Sequence, residues 1–123
     1  SPNHLKSKEL KQKLASVINP SSKTILTLKK QLELNPNNIN LLIEMSNQLY
    51  IDKNYDEALI YCKKVIKLDS NNKLAFNNLC SCLNQKKQWK KAIKACEKAL
   101  IIDSNFQIAK NNLNWALQGI KNQ

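Results

Sequence analysis

The apolar residues of the chain recur at helical spacing in paired blocks that are separated by short polar turns. One side of a first helix would carry Leu41, Leu42, Met45 and Leu49. One side of the next helix would carry Ala58, Leu59, Cys62, Val65 and Ile66. Steps of three and four residues place side chains on one helix face. The pattern therefore predicts two helices joined by the polar turn DKN at 52–54.

The same arrangement returns 34 residues later. ALIYCKKVIKLDSN at 58–71 is matched by AIKACEKALIIDSN at 92–105, and LAFNNLCSCL at 74–83 is matched by IAKNNLNWAL at 108–117. A fixed period of this length indicates a repeat architecture. Because neither helix of a pair can bury its apolar stripe alone, the pairs must stack on one another.

These units resemble tetratricopeptide repeats, a family of 34-residue helix–turn–helix units. Tyr55 and Trp89 match the family's aromatic residue before the second helix, and Ala58 and Ala92 match its small residue. Pro36 matches the closing proline. Later units depart from the pattern, with Ser70 and Ser104 replacing the proline and with Ser46, Cys80 and Asn114 replacing a glycine.

The resemblance implies an all-α, right-handed solenoid of about seven helices. We expect one domain over 1–123, with a degenerate repeat at 5–38, repeats at 39–72 and 73–106, and a capping helix at 107–121. The first repeat should contain a helix in KSKELKQKLASVI (6–18), which NPSS (19–22) breaks. Asn54 and Glu57 are expected to form a capping box. The missing initial Met and the polar opening SPNH predict a fragment of a longer protein.

By the same resemblance, the first helix of each unit lines a concave surface that binds peptides. The residues assigned to it are Asn40, Ile43, Glu44, Asn47, Tyr50, Leu74, Asn77, Asn78, Ser81, Asn111, Asn112 and Trp115. Further inward positions are Asn84, Ile108 and Gln118, with Lys6, Glu9, Leu10, Lys13 and Ser16 in the first unit.

Asparagine dominates this set, and a carboxamide can both donate to and accept from the backbone of an extended peptide. Asn78 and Asn112 are one period apart, similar to the asparagine ladder of O-linked N-acetylglucosamine transferases, although Glu44 stands at the equivalent place one unit earlier. Tyr50 and Trp115 could provide apolar pockets. The alternatives are that asparagine reflects AT-rich codons and solvates the surface, and that Trp115 seals the last core layer.

A clamp for the C-terminal carboxylate of chaperones is not supported. At the places where such domains carry Lys, Asn and Arg, this chain has Glu9 and Lys13, then Glu44, then Leu74 and Asn78. The partner is therefore expected to be a protein or peptide held by other contacts.

The net charge of +11 suggests a second function, docking on nucleic acid or an acidic membrane. Its residues would be the convex lysines Lys86, Lys87, Lys90, Lys91, Lys94 and Lys98. All twenty basic residues are lysines, however, and only arginine supplies bidentate contacts to phosphate and guanine. We therefore favour a solvated face over either docking role.

Nothing in the sequence indicates an enzyme, a cofactor or a small-molecule substrate. His4 has no acid–base partner at a defined spacing, and the single glycine, Gly119, excludes a glycine-rich phosphate loop. Cys62, Cys80, Cys82 and Cys96 do not have zinc-ligand spacing. We expect these cysteines to be reduced and buried, which favours an intracellular location. The favoured function is a protein-interaction module, and a simple spacer or assembly domain is compatible with it.

Overall fold

A computed structural model describes residues 20–123, and in that range it contains six α-helices and no strand. They are α1 (Pro20–Leu34), α2 (Ile39–Ile51), α3 (Tyr55–Leu68), α4 (Lys73–Gln85), α5 (Trp89–Ile102) and α6 (Gln107–Lys121). Consecutive helices pack on each other, and α4 also contacts both α2 and α6. Connections of three or four residues make these helical hairpins. The predicted all-α solenoid is confirmed.

The helix predicted at 6–18 lies outside the described residues. The described chain begins at Pro20, the first residue of α1.

Small side chains form much of the core between the helices. Ala58, Ala92, Ala99, Ala109 and Ala116 are fully buried. Leu42, Met45 and Leu49 of α2 belong to one cluster with Ala58, Ala92 and Ala116, whereas Ala99 and Ala109 pack in a second cluster with Phe76. Alanine at these contacts allows the helix axes to approach closely, because little side-chain volume separates the backbones. The close approach then fixes how each hairpin stacks on the next.

The inner helices α2 and α4 begin with matching asparagine caps. Asn38 Oδ1 accepts from Leu41 N at 3.1 Å, and Asn72 Oδ1 accepts from Ala75 N at 3.0 Å. Each bond satisfies one of the free N–H groups of a first helical turn. The same cap recurs one repeat later and sets the start of both helices.

The expected capping box at Asn54 and Glu57 is wrong. Asn54 precedes α3, but its side chain makes no capping hydrogen bond. A capping box needs the backbone N–H of the cap residue, and Asn54 N instead donates to Leu49 O at 2.8 Å. The preceding helix therefore uses the group that Glu57 was expected to bind.

That bond belongs to a turn that closes α2, and the same turn closes α4. Lys53 has φ 63° and Lys87 has φ 59°, both in the left-handed region. Lys53 N donates to Tyr50 O, and Lys87 N donates to Asn84 O, each at 3.0 Å. The next residue in each turn also donates its N–H to the helix: Asn54 N bonds to Leu49 O, and Gln88 N bonds to Leu83 O. This pair of bonds makes both turns Schellman motifs. These turns direct α3 and α5 back along the helices they follow.

The cysteines are buried as expected, but two of them are not reduced. Cys80 of α4 and Cys96 of α5 form a disulfide with Cα atoms 5.4 Å apart. Both residues are fully buried, so the bond lies in the core. Cys62 and Cys82 remain free, and a hydrogen bond between their thiols lowers the pKa of Cys62 and raises that of Cys82. The intracellular location stays a prediction.

No helix among residues 20–123 is both long and apolar enough to cross a membrane. In the same range, no cluster of three or more His, Cys, Asp or Glu side chains could hold a metal ion.

Candidate functional site on the inner helices

The first helices of the hairpins, α2, α4 and α6, lie side by side and form one surface, here called the inner wall. The predicted residues on α2 are Asn40, Ile43, Glu44, Asn47 and Tyr50; those on α4 are Leu74, Asn77, Asn78 and Ser81; and those on α6 are Asn111, Asn112 and Trp115. The candidate residues of the first unit, Lys6 to Ser16, lie outside the described residues.

Asn78 joins α4 to α2. Its Nδ2 donates to Asn47 Oδ1 at 2.8 Å and to Ser46 Oγ at 3.2 Å. Ser46 in turn donates to Ile43 O at 2.7 Å. Ser46 occupies a position where the family usually has glycine, and its hydroxyl extends the polar contact into the core. Both donors of the Asn78 amide are thus used within the protein.

Asn112 repeats this arrangement between α6 and α4. Its Nδ2 donates to Asn77 Oδ1 and to Ser81 Oγ, both at 2.8 Å. Asn77 is 6% exposed, so its assignment as a ligand-contacting residue is corrected. It is instead the internal acceptor that orients Asn112.

These bonds change the chemistry that the asparagine ladder can offer. The amide oxygens of Asn78 and Asn112 accept no hydrogen bond from the described part of the chain, and neither oxygen is buried. An oriented amide whose N–H groups are already used can still accept but has no donor left. The inner wall therefore offers two fixed acceptors at one-repeat spacing, whereas the sequence suggested groups that both donate and accept.

Asn84 is buried, although the sequence predicts it on the concave surface. It is 1% exposed, and its Nδ2 donates to the backbone oxygen of Asn112 at 3.0 Å. Its Oδ1 has no partner among the described residues. Asn84 thus ties α4 to α6 and positions the backbone that carries Asn112. Only the tertiary contact reveals this role, because its sequence position matches that of exposed inner residues.

Apolar side chains flank the amides on the inner wall. Leu74 is 45% exposed and Ile108, one repeat later on α6, is 57% exposed. Trp115 is 37% exposed beside the buried Ala116. Tyr50 is held in place, since its hydroxyl accepts from Gln85 Nε2 at 2.9 Å and its ring packs edge-on against Tyr55. The wall can therefore contact apolar side chains as well as backbone.

Charge is distributed unequally between the two sides of the molecule. Glu44 is the only charged residue among the predicted inner-wall positions of α2, α4 and α6. The outer helices α3 and α5 carry exposed lysines, among them Lys63, Lys64, Lys91 and Lys94. A ligand on the inner wall would thus meet mainly neutral groups.

Comparison with known proteins supports this architecture. Residues 74–106 match the family model of the tetratricopeptide repeat. The chain resembles the structure titled "First TPR of Spaghetti (RPAP3) bound to HSP90 peptide SRMEEVD", with TM-score 0.79, 18% identity and coverage of 90% of this chain and 88% of that one. For the first TPR domain of human RPAP3 the TM-score is 0.80, with 18% identity and coverage of 91% and 88%.

The Sgt2 TPR domain from Aspergillus fumigatus gives TM-score 0.79 at 20% identity, covering 94% of this chain and 80% of that one. No curated protein sequence matches the chain. Because the sequence identities are only 18–20%, these structural matches establish the fold alone. Together with the stacked hairpins, they show that the chain has the tetratricopeptide-repeat fold and that residues 74–106 form a repeat of that family.

Proposed function

We propose that this chain is a protein-interaction module that binds an extended segment of a partner along its inner wall. The observation that carries the proposal is the orientation of the Asn78 and Asn112 amides. The Nδ2 group of each donates to the preceding inner helix, which leaves its oxygen as an acceptor. Acceptors held in place before binding lose little conformational freedom when the ligand arrives. The repeat fold adds support, since stacked repeats form extended concave binding surfaces.

The ligand would donate its backbone N–H groups to the two oxygens. In an extended strand the backbone N–H groups of alternate residues point to the same edge, so they can donate to a regularly spaced row of acceptors. Side chains of the partner would then contact Leu74, Ile108 and Trp115. This mode selects an extended backbone first and apolar side chains second. No side chain of the inner wall is assigned a chemical step, so we propose binding without catalysis.

The peptide SRMEEVD, seen on Spaghetti (RPAP3), makes a useful negative probe. Glu44 and Leu74 lie where family members that hold a C-terminal carboxylate have cationic or amide groups. An acid repels a carboxylate and a leucine cannot bond to it. We therefore expect no measurable binding of this peptide at the inner wall.

The experiment begins with a random 16-residue peptide library displayed on phage and selected against the whole chain, followed by calorimetric titration of the best peptide. We expect Asn78→Ala with Asn112→Ala to weaken binding at least tenfold, about 1.4 kcal/mol. Methylating alternate backbone nitrogens of the peptide should weaken binding in one register and not in the other, because only one set of N–H groups meets the oxygens.

The matched control is Asn71→Ala with Asn105→Ala. These residues are also one repeat apart and exposed, but they lie in turns, where their backbone nitrogens donate to Asp69 and Asp103. Thermal melts of both double variants separate lost binding from lost repeat stacking. Unchanged affinity in a folded Asn78/Asn112 double variant would contradict the proposal.

A further inference from the structure

The outer side of the molecule carries a second recess, here called the outer groove. It lies between α3 and α5, which have no Cα atoms within 8 Å of each other, and α4 forms its floor. Three side chains of α4, Phe76, Leu79 and Leu83, make an apolar stripe along this floor; Phe76 and Leu83 also belong to the core and are each 7% exposed, and Leu79 is half-buried. Leu59 of α3 and Ala95 of α5 complete it. The groove encloses about 470 Å³.

The charged side chains around the outer groove are all basic. The charged residues that line it are Lys63, Lys86, Lys91, Lys94 and Lys98, and no Asp or Glu is among the lining residues. Lys86 pairs with Asp56 at one end. The ammonium group of Lys98 lies 5.6 Å from the centre of the Phe76 ring. Among the described residues, Lys63, Lys91 and Lys94 form no ion pair.

The distribution of charge along α5 lowers the stability of this helix. Its first turn contains Lys90 and Lys91 and no acid, although the N-terminus of a helix favours negative charge. Lys90, Lys94 and Lys98 follow one another at four-residue spacing, which brings like charges together on one helix face, and Glu97, three residues after Lys94, is the one acid of α5. The corresponding helix α3 begins instead with Asp56 and Glu57. Acidic groups from a partner would offset both effects on α5.

We propose that the outer groove binds an acidic amphipathic helix of a partner protein. The stripe from Phe76 to Leu83 spans seven residues of helix, roughly 10 Å, which matches two turns of a docked helix. A helix with apolar residues at i, i+3 and i+7 places them along such a stripe. Its flanking Asp and Glu side chains would then face the lysines on both sides. This binding site is separate from the inner wall and does not depend on the function proposed for it.

Nucleic acid and a membrane surface fit the outer groove less well. Phosphate contacts would use the lysines but not the apolar surface that the floor still exposes, and the chain has no arginine for bidentate contacts. A bilayer surface would meet the rim, whereas the floor is recessed between two helices. An amphipathic helix can use the floor and the rim together.

The test uses the whole chain and two fluorescein-labelled synthetic peptides of 16 residues with identical composition, rich in Leu and Glu. In one the leucines form a single stripe flanked by glutamates, and in the other the order is shuffled so that no stripe forms. Fluorescence anisotropy at physiological ionic strength should show the amphipathic peptide binding at least tenfold more tightly. Equal binding of the two isomers would overturn the proposal, because charge alone would then account for it.

Charge-reversed variants locate the site. Lys91→Glu with Lys94→Glu should weaken binding of the amphipathic peptide at least tenfold. The matched control is Lys29→Glu with Lys64→Glu, which changes the net charge by the same amount at a different surface pocket. This control should alter binding less than threefold. Circular dichroism checks that both variants fold. An equal loss in both would indicate diffuse attraction and contradict a defined site.

Two further probes decide between kinds of partner. A 20-nucleotide single strand of DNA and vesicles containing phosphatidylserine are titrated under the same conditions. The proposal expects both to bind more weakly than the amphipathic peptide. Tighter binding of either, lost in the Lys91/Lys94 variant, would overturn it. Asn78→Ala with Asn112→Ala should leave the amphipathic peptide's affinity unchanged, which distinguishes the outer groove from the inner wall.

Discussion

Among residues 20–123, Lys53 and Lys87 are the non-glycine residues that adopt a left-handed backbone conformation. Both adopt positive φ in the turns that end the inner helices. A left-handed conformation costs a residue with a Cβ about 1–2 kcal/mol relative to the right-handed one. Glycine is the usual residue here because it has no Cβ. This unfavourable conformation allows the Schellman hydrogen bonds that close each hairpin, and those bonds offset its free-energy cost.

We expect Lys53→Gly and Lys87→Gly each to stabilise the protein by about 0.5–1 kcal/mol. The relieved backbone strain outweighs the greater freedom that glycine gives the unfolded chain. Urea denaturation monitored by circular dichroism measures the change. Lys53→Ala and Lys87→Ala are the matched controls, since they remove the same charge but keep the Cβ, and they should bring no gain. Equal stabilisation by alanine would show that charge removal is the cause.

At the scale of the helix pair, the disulfide between Cys80 and Cys96 joins α4 to α5 within one hairpin. It closes a short loop, since the two residues are 16 positions apart. Cross-linking restricts the unfolded chain, and the restriction grows only slowly with loop length. The α4–α5 hairpin should therefore be more stable than the α2–α3 hairpin, which has no cross-link.

We expect reduction of this disulfide to lower the free energy of unfolding by about 3 kcal/mol, the value for a loop of this length. Thermal melts with and without a phosphine reductant measure the effect. Mass spectrometry after alkylation of the unfolded, unreduced protein should find two modified cysteines, Cys62 and Cys82. Cys80→Ser with Cys96→Ser provides a control that should no longer respond to reductant. Four modified cysteines would show that the bond is absent.

At the scale of the whole molecule, stability depends on contacts between neighbouring hairpins and on the last helix. In a stacked repeat protein each unit contacts only its neighbours. Helix α6 packs on α4 and α5, and its Ala109 and Ala116 are fully buried there. Gly119 of α6 lies against the Trp89 ring of α5, and a Cβ there would overlap that ring.

We expect Gly119→Ala to destabilise the protein by about 1–2 kcal/mol. Alanine improves helix propensity by about 1 kcal/mol, but overpacking against a rigid ring costs more. Urea denaturation gives the net change, and Trp89 fluorescence in a Trp115→Phe background reports the displaced ring. Gln118→Ala, exposed on the same helix, is the control and should change stability little. A rise in stability would show that the ring moves aside freely.

The sequence alone determined the repeat and the fold. Its 34-residue period and its apolar spacing predict helical hairpins, because each hairpin needs a neighbour to bury its stripe. The period also placed Asn78 and Asn112 on adjacent inner helices. Signals of this kind can be recognised without a structure, since they depend on helix geometry and on side chains within one turn.

Only the tertiary structure decided what those side chains are free to do. Asn77 and Asn84 share a sequence pattern with exposed asparagines, yet both are buried, and the donors of Asn78 and Asn112 are already used by the preceding helix. The disulfide and the outer groove depend likewise on how far neighbouring helices approach or separate. Such distances arise from packing between residues about 16 to 35 positions apart, which a residue's own sequence neighbourhood does not encode.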